Sequence, residues 1–211
     1  MKETGIIMSG DHPKLILDGI KTQTRRVIKP CSKATLADGS QPEWVFTLAK
    51  CPYGQAGDRL WVRETYTSYI DVDNHLCLVY YGDDIDSVRA YQIHHMPGLF
   101  FKQPKDGKHP SIHMPRWASR ITLEITEVRV ERVQEIRDSD IIPEGTRGWF
   151  DSHPQRYNRD LLPLPVINVD YFAVMWDEIN KKRGYGWEVN PWVWVLSFKL
   201  IKGRDYRYMR L

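Results

Sequence analysis

The sequence predicts an α+β fold, a single small mixed β-barrel with short helices and loop insertions. Strand-like segments of varied length recur along the chain, short helical segments fall between them, and no regular strand–helix–strand rhythm appears. A doubly wound parallel sheet would need that rhythm. At 211 residues the chain suits one domain, and 42% hydrophobic residues are enough to fill a core of that size.

The elements follow in order. Gly5-Ile6-Ile7-Met8 reads as a short strand, and His12 to Gly19 as a short helix with Asp11 at its N-cap. Gly19 can close that helix in the left-handed conformation. Residues 30 to 56 carry Pro30, Pro42, Pro52 and many small residues, and read as an irregular loop. From Gly57 to Thr65 a turn leads into an alternating strand, with Leu60 and Val62 on one face and Arg59, Trp61 and Arg63 on the other. Residues 66 to 110 read as an insertion. It holds a strand at Leu76 to Tyr81, an acidic patch at Asp83-Asp84-Ile85-Asp86, and a basic Pro- and Gly-containing loop. The clearest strand signal is Ile121 to Arg132, where Ile121, Leu123 and Ile125 alternate with Thr122, Glu124 and Thr126. Ile136 to Glu144 resembles a short helix that Gly145 can stop. Residues 146 to 167, with Pro154, Pro163 and Pro165, read as irregular and as a second insertion. Asn168 to Lys182 places Phe172, Met175, Trp176 and Ile179 at helical spacing behind an Asn N-cap, and Pro191 to Ile201 is an aromatic, branched strand.

Several function classes are disfavoured. No apolar run reaches about 18 residues, so no membrane span is expected. The first residues lack a signal-peptide pattern. Cys31, Cys51 and Cys77 are odd in number and form no CxxC pair, which suits a reducing cytoplasm and argues against a disulfide framework. His12, His94, His95, His109 and His113 show no metal-ligand spacing, so no metal and no other cofactor are expected. There is no P-loop or dinucleotide fingerprint. The net charge of +3 is weak evidence for a polyanion partner, but the basic residues cluster at Lys21 to Lys29, Lys102 to Arg120 and Lys202 to Arg210. Eight Trp and eleven Tyr accompany them, a combination suited to stacking bases and tracking phosphates.

The segment Gly19-Ile20-Lys21-Thr22-Gln23-Thr24-Arg25-Arg26 concentrates an amine, hydroxyls and two guanidinium groups just after a helix end. Chain leaving a helix often carries functional side chains on a fixed scaffold. Lys21 and Thr24 are three apart, so an ideal strand would send them to opposite faces, and sharing a pocket demands a turn or helical geometry.

Taken together, Gly19 to Arg25, Gly57-Asp58-Arg59-Leu60-Trp61-Val62, the long strand, the Ile136 to Gly145 helix and Val193-Trp194-Val195-Leu196-Ser197-Phe198 resemble an ASCH domain. Trp61 to Thr65, His113-Met114-Pro115-Arg116-Trp117 and Asn190 to Trp194 resemble its longer bacteriophage and prophage versions. The resemblance spans most of the chain except residues 66 to 110 and 146 to 167. It implies a PUA-like β-barrel that acts on RNA or a modified nucleoside. Small bacterial members of that family are amidohydrolases that deacetylate N4-acetylcytidine, with a lysine and a threonine in the GxKxxT motif and a glutamate in the helix after the central strand. The resemblance therefore implies catalytic roles for Lys21, Thr24 and Glu144. Another family member is described as a ribonuclease.

The chemistry agrees with such roles. A threonine hydroxyl needs a base, and a desolvated lysine near other cations has a lowered pKa. Arg25 and Arg26 supply nearby charge, and Glu144 could orient Lys21 or shuttle a proton to the leaving nitrogen. The plain alternative is a structural Lys21–Glu144 ion pair with Thr24 capping a turn. The substrate-binding candidates are Arg25 and Arg26 in the motif, Trp61, Trp117 and Trp192 for stacking, Glu64 for a base edge, and Arg116 for a phosphate or a base. Core packing competes for the tryptophans, and pairing with Arg63 or Arg116 competes for Glu64. Two other functions fit the same residues. One is an RNA-binding module without chemistry, and the other a metal-independent ribonuclease in which Lys21 and Arg25 stabilise a phosphorane.

Overall fold

The computed structural model describes residues 1–8, 10–29, 50–70, 76–81, 84–92, 107–152 and 168–201. Two sheets organise them. Strands β1 (Glu3–Ile7), β2 (Gln23–Val27), β3 (Arg59–Arg63), β8 (Thr122–Arg132) and β9 (Trp192–Ile201) form a mixed sheet in the order β1-β3-β8-β9-β2. Strands β4 (Tyr66–Ile70), β5 (Leu76–Tyr81), β6 (Asp84–Gln92) and β7 (Gly107–His109) form an antiparallel sheet ordered β6-β5-β4-β7. In the larger sheet β1 and β3 are parallel, and the remaining pairs are antiparallel. The α+β class read from the sequence is the one observed. Among the described residues the larger sheet ends at β1 and β2, and a side chain spans these two edges: Arg26 of β2 donates from Nη2 to the Ile7 carbonyl at 2.5 Å.

Alternation of side chains explains the strands. In β3, Leu60 and Val62 are fully buried while Arg59, Trp61 and Arg63 are half-buried. In β9, Val193 and Val195 enter one core, and Leu196 and Phe198 enter the core on the opposite face. A strand covered on both faces has little room for polar side chains, which accounts for its aromatic and branched composition. In β8 the expected alternation of Leu123 and Ile125 leads into an irregularity between Ile125 and Glu127, beyond which the register against β9 shifts.

Among the described residues four α-helices pack beside the sheet, α1 (His12–Leu17), α2 (Asp138–Ile141), α3 (Thr146–Ser152) and α4 (Val169–Asn180). Asn168 caps α4 as expected, its side chain accepting from the Asp170 and Tyr171 amides at 3.1 and 3.4 Å. Asp11 occupies the N-cap of α1, but its side chain makes no capping bond. Gly19 and Gly145 adopt φ of 74° and 81°, the left-handed turns expected at these helix ends.

Two readings need correction. Residues 146 to 152 are helical, not irregular, because Gly148 lets α3 sit against Leu15 so closely that a Cβ there would lie 2.4 Å from Leu15 Cδ2. Tertiary contact of this kind overrides a glycine's low helix propensity. Of the acidic residues 83 to 86, Asp84 to Asp86 begin β6. The helix expected over Ile136 to Glu144 contracts to α2. Residues 30 to 49, most of the loop expected over 30 to 56, lie outside the described residues, as do Asp83, the Lys202 to Arg210 cluster, most of the basic loop near 93–106, and residues 153–167.

Candidate functional site

The N-terminal motif is fixed by backbone hydrogen bonds before its side chains act. The Ile20 and Lys21 amides both donate to the Leu15 carbonyl, and the Thr22 and Gln23 amides both donate to the Pro143 carbonyl. The Phe198 amide donates to the Thr22 carbonyl at 2.9 Å. Lys21 therefore sits in the link between α1 and β2, while Thr24 lies within β2. That non-strand link meets the condition the three-residue spacing imposed. Both residues line a cavity of about 230 Å³ with Glu144. By register Thr24 lies opposite Leu196 and Arg25 opposite Val195, so neighbours on β2 face opposite sides of the sheet. Both sides reach the cavity because β2 is an outer strand.

Lys21 is 2% exposed. Its Nζ donates to the Gln23 carbonyl at 2.9 Å and to the Glu144 carbonyl, with Glu144 Oε2 at 3.6 Å. Burial pushes the lysine down from 10.5 to about 8, against the opposing pull of Glu144 and with help from the Arg26 and Arg25 charges. Its stem needs Gly145, since a Cβ there would lie 3.2 Å from Lys21 Cδ and also 3.2 Å from Leu15 Cδ1. Thr24 is buried, and among the described residues its hydroxyl takes no hydrogen-bond partner. It caps no turn.

Arg25 has a different role from the substrate contact its sequence position suggested. A guanidinium carries five N–H donors, and every one is engaged. Nε donates to Glu131 Oε1 at 3.0 Å, Nη1 to Gln23 Oε1 and Glu144 Oε1 at 2.8 and 2.7 Å, and Nη2 to Glu131 Oε1 and Asp140 Oδ2. The side chain has no solvent exposure and lies over the Phe172 ring. No N–H remains for a ligand. What Arg25 does is hold Glu144 in place, aided by its own amide on Glu144 Oε2 at 3.3 Å. Arg129 braces the same web, contacting Glu131 and Asp140.

Arg26 lines the cavity with a half-buried side chain. The other binding candidates lie elsewhere. Glu64 is buried and paired bidentately with Arg120, at 2.9 and 2.8 Å, not with Arg63 or Arg116. Arg116 is exposed and pairs with Glu3 at 2.7 Å. Trp61 and Trp117 pack against Tyr66, Tyr81, Met114 and Ala118 between the sheets. The strand alternation that exposed Trp61 on a face gave no means of seeing that the second sheet covers it.

Reasoning from sequence missed part of the cavity. Phe172, Met175, Trp176 and Ile179, read as the packing face of a helix, also form one wall, and Tyr53 and Asn180 contribute too. Glu131 and Asp140 carried no local signal. Among the described residues no group of His, Cys, Asp and Glu is arranged to hold a metal ion, and no helix is long and apolar enough to cross a membrane.

No family model matches the chain, and no curated protein matches it. Two solved structures are similar. An ASCH domain from Lactobacillus crispatus JV V101 shares 11% identity at a TM-score of 0.37, covering 94% of this chain and 79% of that one. A protein from Enterococcus faecalis V583, of the DUF984 family, shares 11% identity at a TM-score of 0.40, covering 100% of this chain and 86% of that one. The first bears the domain name that the sequence motifs resemble. Likeness at this level leaves the fold resting on the strand order and register given above.

Proposed function

We propose that the protein is an amidohydrolase acting on a modified nucleoside or RNA, of the N4-acetylcytidine type, with Lys21, Thr24 and Glu144 as its reacting groups. The observation that carries this reading is a buried lysine, its pKa pushed down to about 8, in the same cavity as a buried threonine whose hydroxyl takes no hydrogen-bond partner among the described residues. A neutral lysine amine keeps two N–H donors and one lone pair. Two backbone carbonyls, of Gln23 and Glu144, take the donors. The lone pair is left to accept a proton, which is the work of a general base.

In this reading Thr24 Oγ1 attacks the acyl carbon while its proton passes to Lys21. The C–N bond breaks, the leaving nitrogen takes that proton, and an acyl-threonine ester remains. Water, deprotonated by the same amine, then cleaves the ester and releases acetate. Glu144 stabilises the ammonium form of Lys21 between these steps and serves as the proton relay. The apolar wall of α4 suits a flat heteroaromatic ring, and the cavity is smaller than pockets built for drug-sized ligands.

A ribonuclease built on Arg25 is less well supported, because that guanidinium has no free N–H for a phosphorane. The test is acetate release from N4-acetylcytidine by the purified protein and by the Lys21→Met and Thr24→Val variants. Turnover by the wild type and its loss in both variants is the expected result. Equal turnover in the Lys21→Met variant would exclude the proposed base, and no turnover by the wild type would leave binding without chemistry as the better reading.

A further inference from the structure

The cavity divides into two regions of unlike charge balance. In its depth Lys21 and Arg25 face Glu144, with Glu131 and Asp140 holding Arg25, so positive groups there meet carboxylates. A second group of cations, Arg26, Lys29 and Arg183, lines the same cavity, and among the described residues none of the three has an ion-pair partner. Lys29 and Arg183 are exposed and Arg26 is half-buried, so the group runs from the interior to solvent. Arg26 spends Nη2 on Ile7 and Met8, and its Nε is shielded from solvent without a hydrogen-bond acceptor. Burial lowers the pKa of Arg26, with Tyr53 and Glu144 opposing and the Arg183 charge adding to the effect. Like charges drawn together beside an orphaned donor form an arrangement that an anion would stabilise.

We infer that Arg26, Lys29 and Arg183 form a phosphate subsite at the cavity mouth, so that the ligand entering beneath α4 is a phosphorylated nucleoside or a nucleotide within RNA. This deepens the reading above by naming the substrate class, and it rests on that reading for the base that fills the inner cavity. A phosphate monoester carries close to two negative charges at neutral pH and three strong acceptors. Two guanidinium groups and an ammonium supply donors for it, Arg26 Nε at the inner side and the mobile ends of Lys29 and Arg183 at the outer side. A free nucleoside would fill the inner cavity and leave these cations unmatched.

The test separates the subsite from the hydrolytic chemistry by using ligands with no amide. Cytidine, cytidine 5′-monophosphate and a cytidine trinucleotide are titrated calorimetrically into the wild type and into a Lys29→Gln/Arg183→Gln double variant. Both residues are exposed, so the variant retains its fold, and a circular dichroism spectrum checks this. The expected result is a preference of about tenfold or more for the monophosphate over cytidine in the wild type, falling with added salt. In the double variant the ratio drops towards one. A trinucleotide that binds more tightly than the monophosphate assigns the phosphate to an RNA backbone, and equal affinity assigns it to a free nucleotide. Equal affinity for cytidine and its monophosphate in the wild type, no binding of either, or a preference that survives in the double variant would overturn the subsite. Acetate release is followed separately on N4-acetylcytidine and its 5′-monophosphate. Phosphate preference in binding without acetate release would sink the hydrolase alone, whereas acetate release with equal kcat/KM on both compounds would sink the subsite alone.

Discussion

The buried lysine makes a quantitative prediction about stability. Lys21 titrates at about 8 in the folded protein against an ordinary value of 10.5. Below about pH 8 it is protonated in both folded and unfolded chains, and the folded state bears the full cost of enclosing an ammonium. As pH rises from about 8 to 10.5 the folded protein releases this proton first. The unfolded chain then binds more protons, so stability rises with pH across that window. At about 1.36 kcal/mol per pH unit, the gap corresponds to a gain of about 3 kcal/mol, complete above 10.5. The perturbation is Lys21→Met, which keeps an unbranched stem and removes the titration. Urea unfolding followed by tryptophan fluorescence at about pH 7 and about pH 10.5 gives the stability of each protein. The wild type should gain about 3 kcal/mol on the variant over this range. A difference between the two proteins that does not change with pH would refute a depressed Lys21, and with it the base assigned to the reaction.

Other substitutions test the surrounding architecture. Arg25→Met strands Glu131, Asp140 and Glu144 around an apolar side chain, and should cost about 3–5 kcal/mol in urea unfolding. Gly148→Ala drives a methyl into Leu15 and should destabilise by about 1–3 kcal/mol, visible as a lower Tm. Arg116→Ala removes an exposed pair with Glu3 and an exposed hydrogen bond to Thr122, so its stability change should stay within about 1 kcal/mol, with kcat/KM unaltered. Glu64→Gln should lower Tm by weakening the buried bidentate pair with Arg120 while leaving KM unchanged, because this pair lies away from the cavity.

Legibility in the sequence followed the range of the interactions involved. Alternation within β3, β8 and β9, the glycines after α1 and α2, and the Asn168 cap are decided within a few residues, and they were readable. Lys21 and Thr24 were readable as a group because the helix end and the following strand are contiguous. The five-bond web on Arg25 was not, since Glu131 and Asp140 lie more than a hundred residues away and have no local mark. Trp61 illustrates the same limit from the other side. A half-buried strand face looks identical in sequence whether it receives a ligand or, as here, is overlaid by Tyr66, Tyr81 and Met114. Helix α3 escaped notice because the feature that stabilises it, the close seat of Gly148 on Leu15, reads locally as a helix breaker.

Strand order also sets a time at which activity can begin. Among the described residues, β1 and β2 are both outer strands of the larger sheet and lie close to Lys21 and Thr24 in sequence, yet β2 takes its hydrogen-bonding partner from β9, residues 192 to 201. Synthesis runs from N- to C-terminus, so Lys21 and Thr24 emerge well before β9 and wait for it without that part of their scaffold. A nascent chain, or one broken off before β9, carries the motif but cannot assemble it. Assembly of the cavity is thereby latched to completion of the sheet.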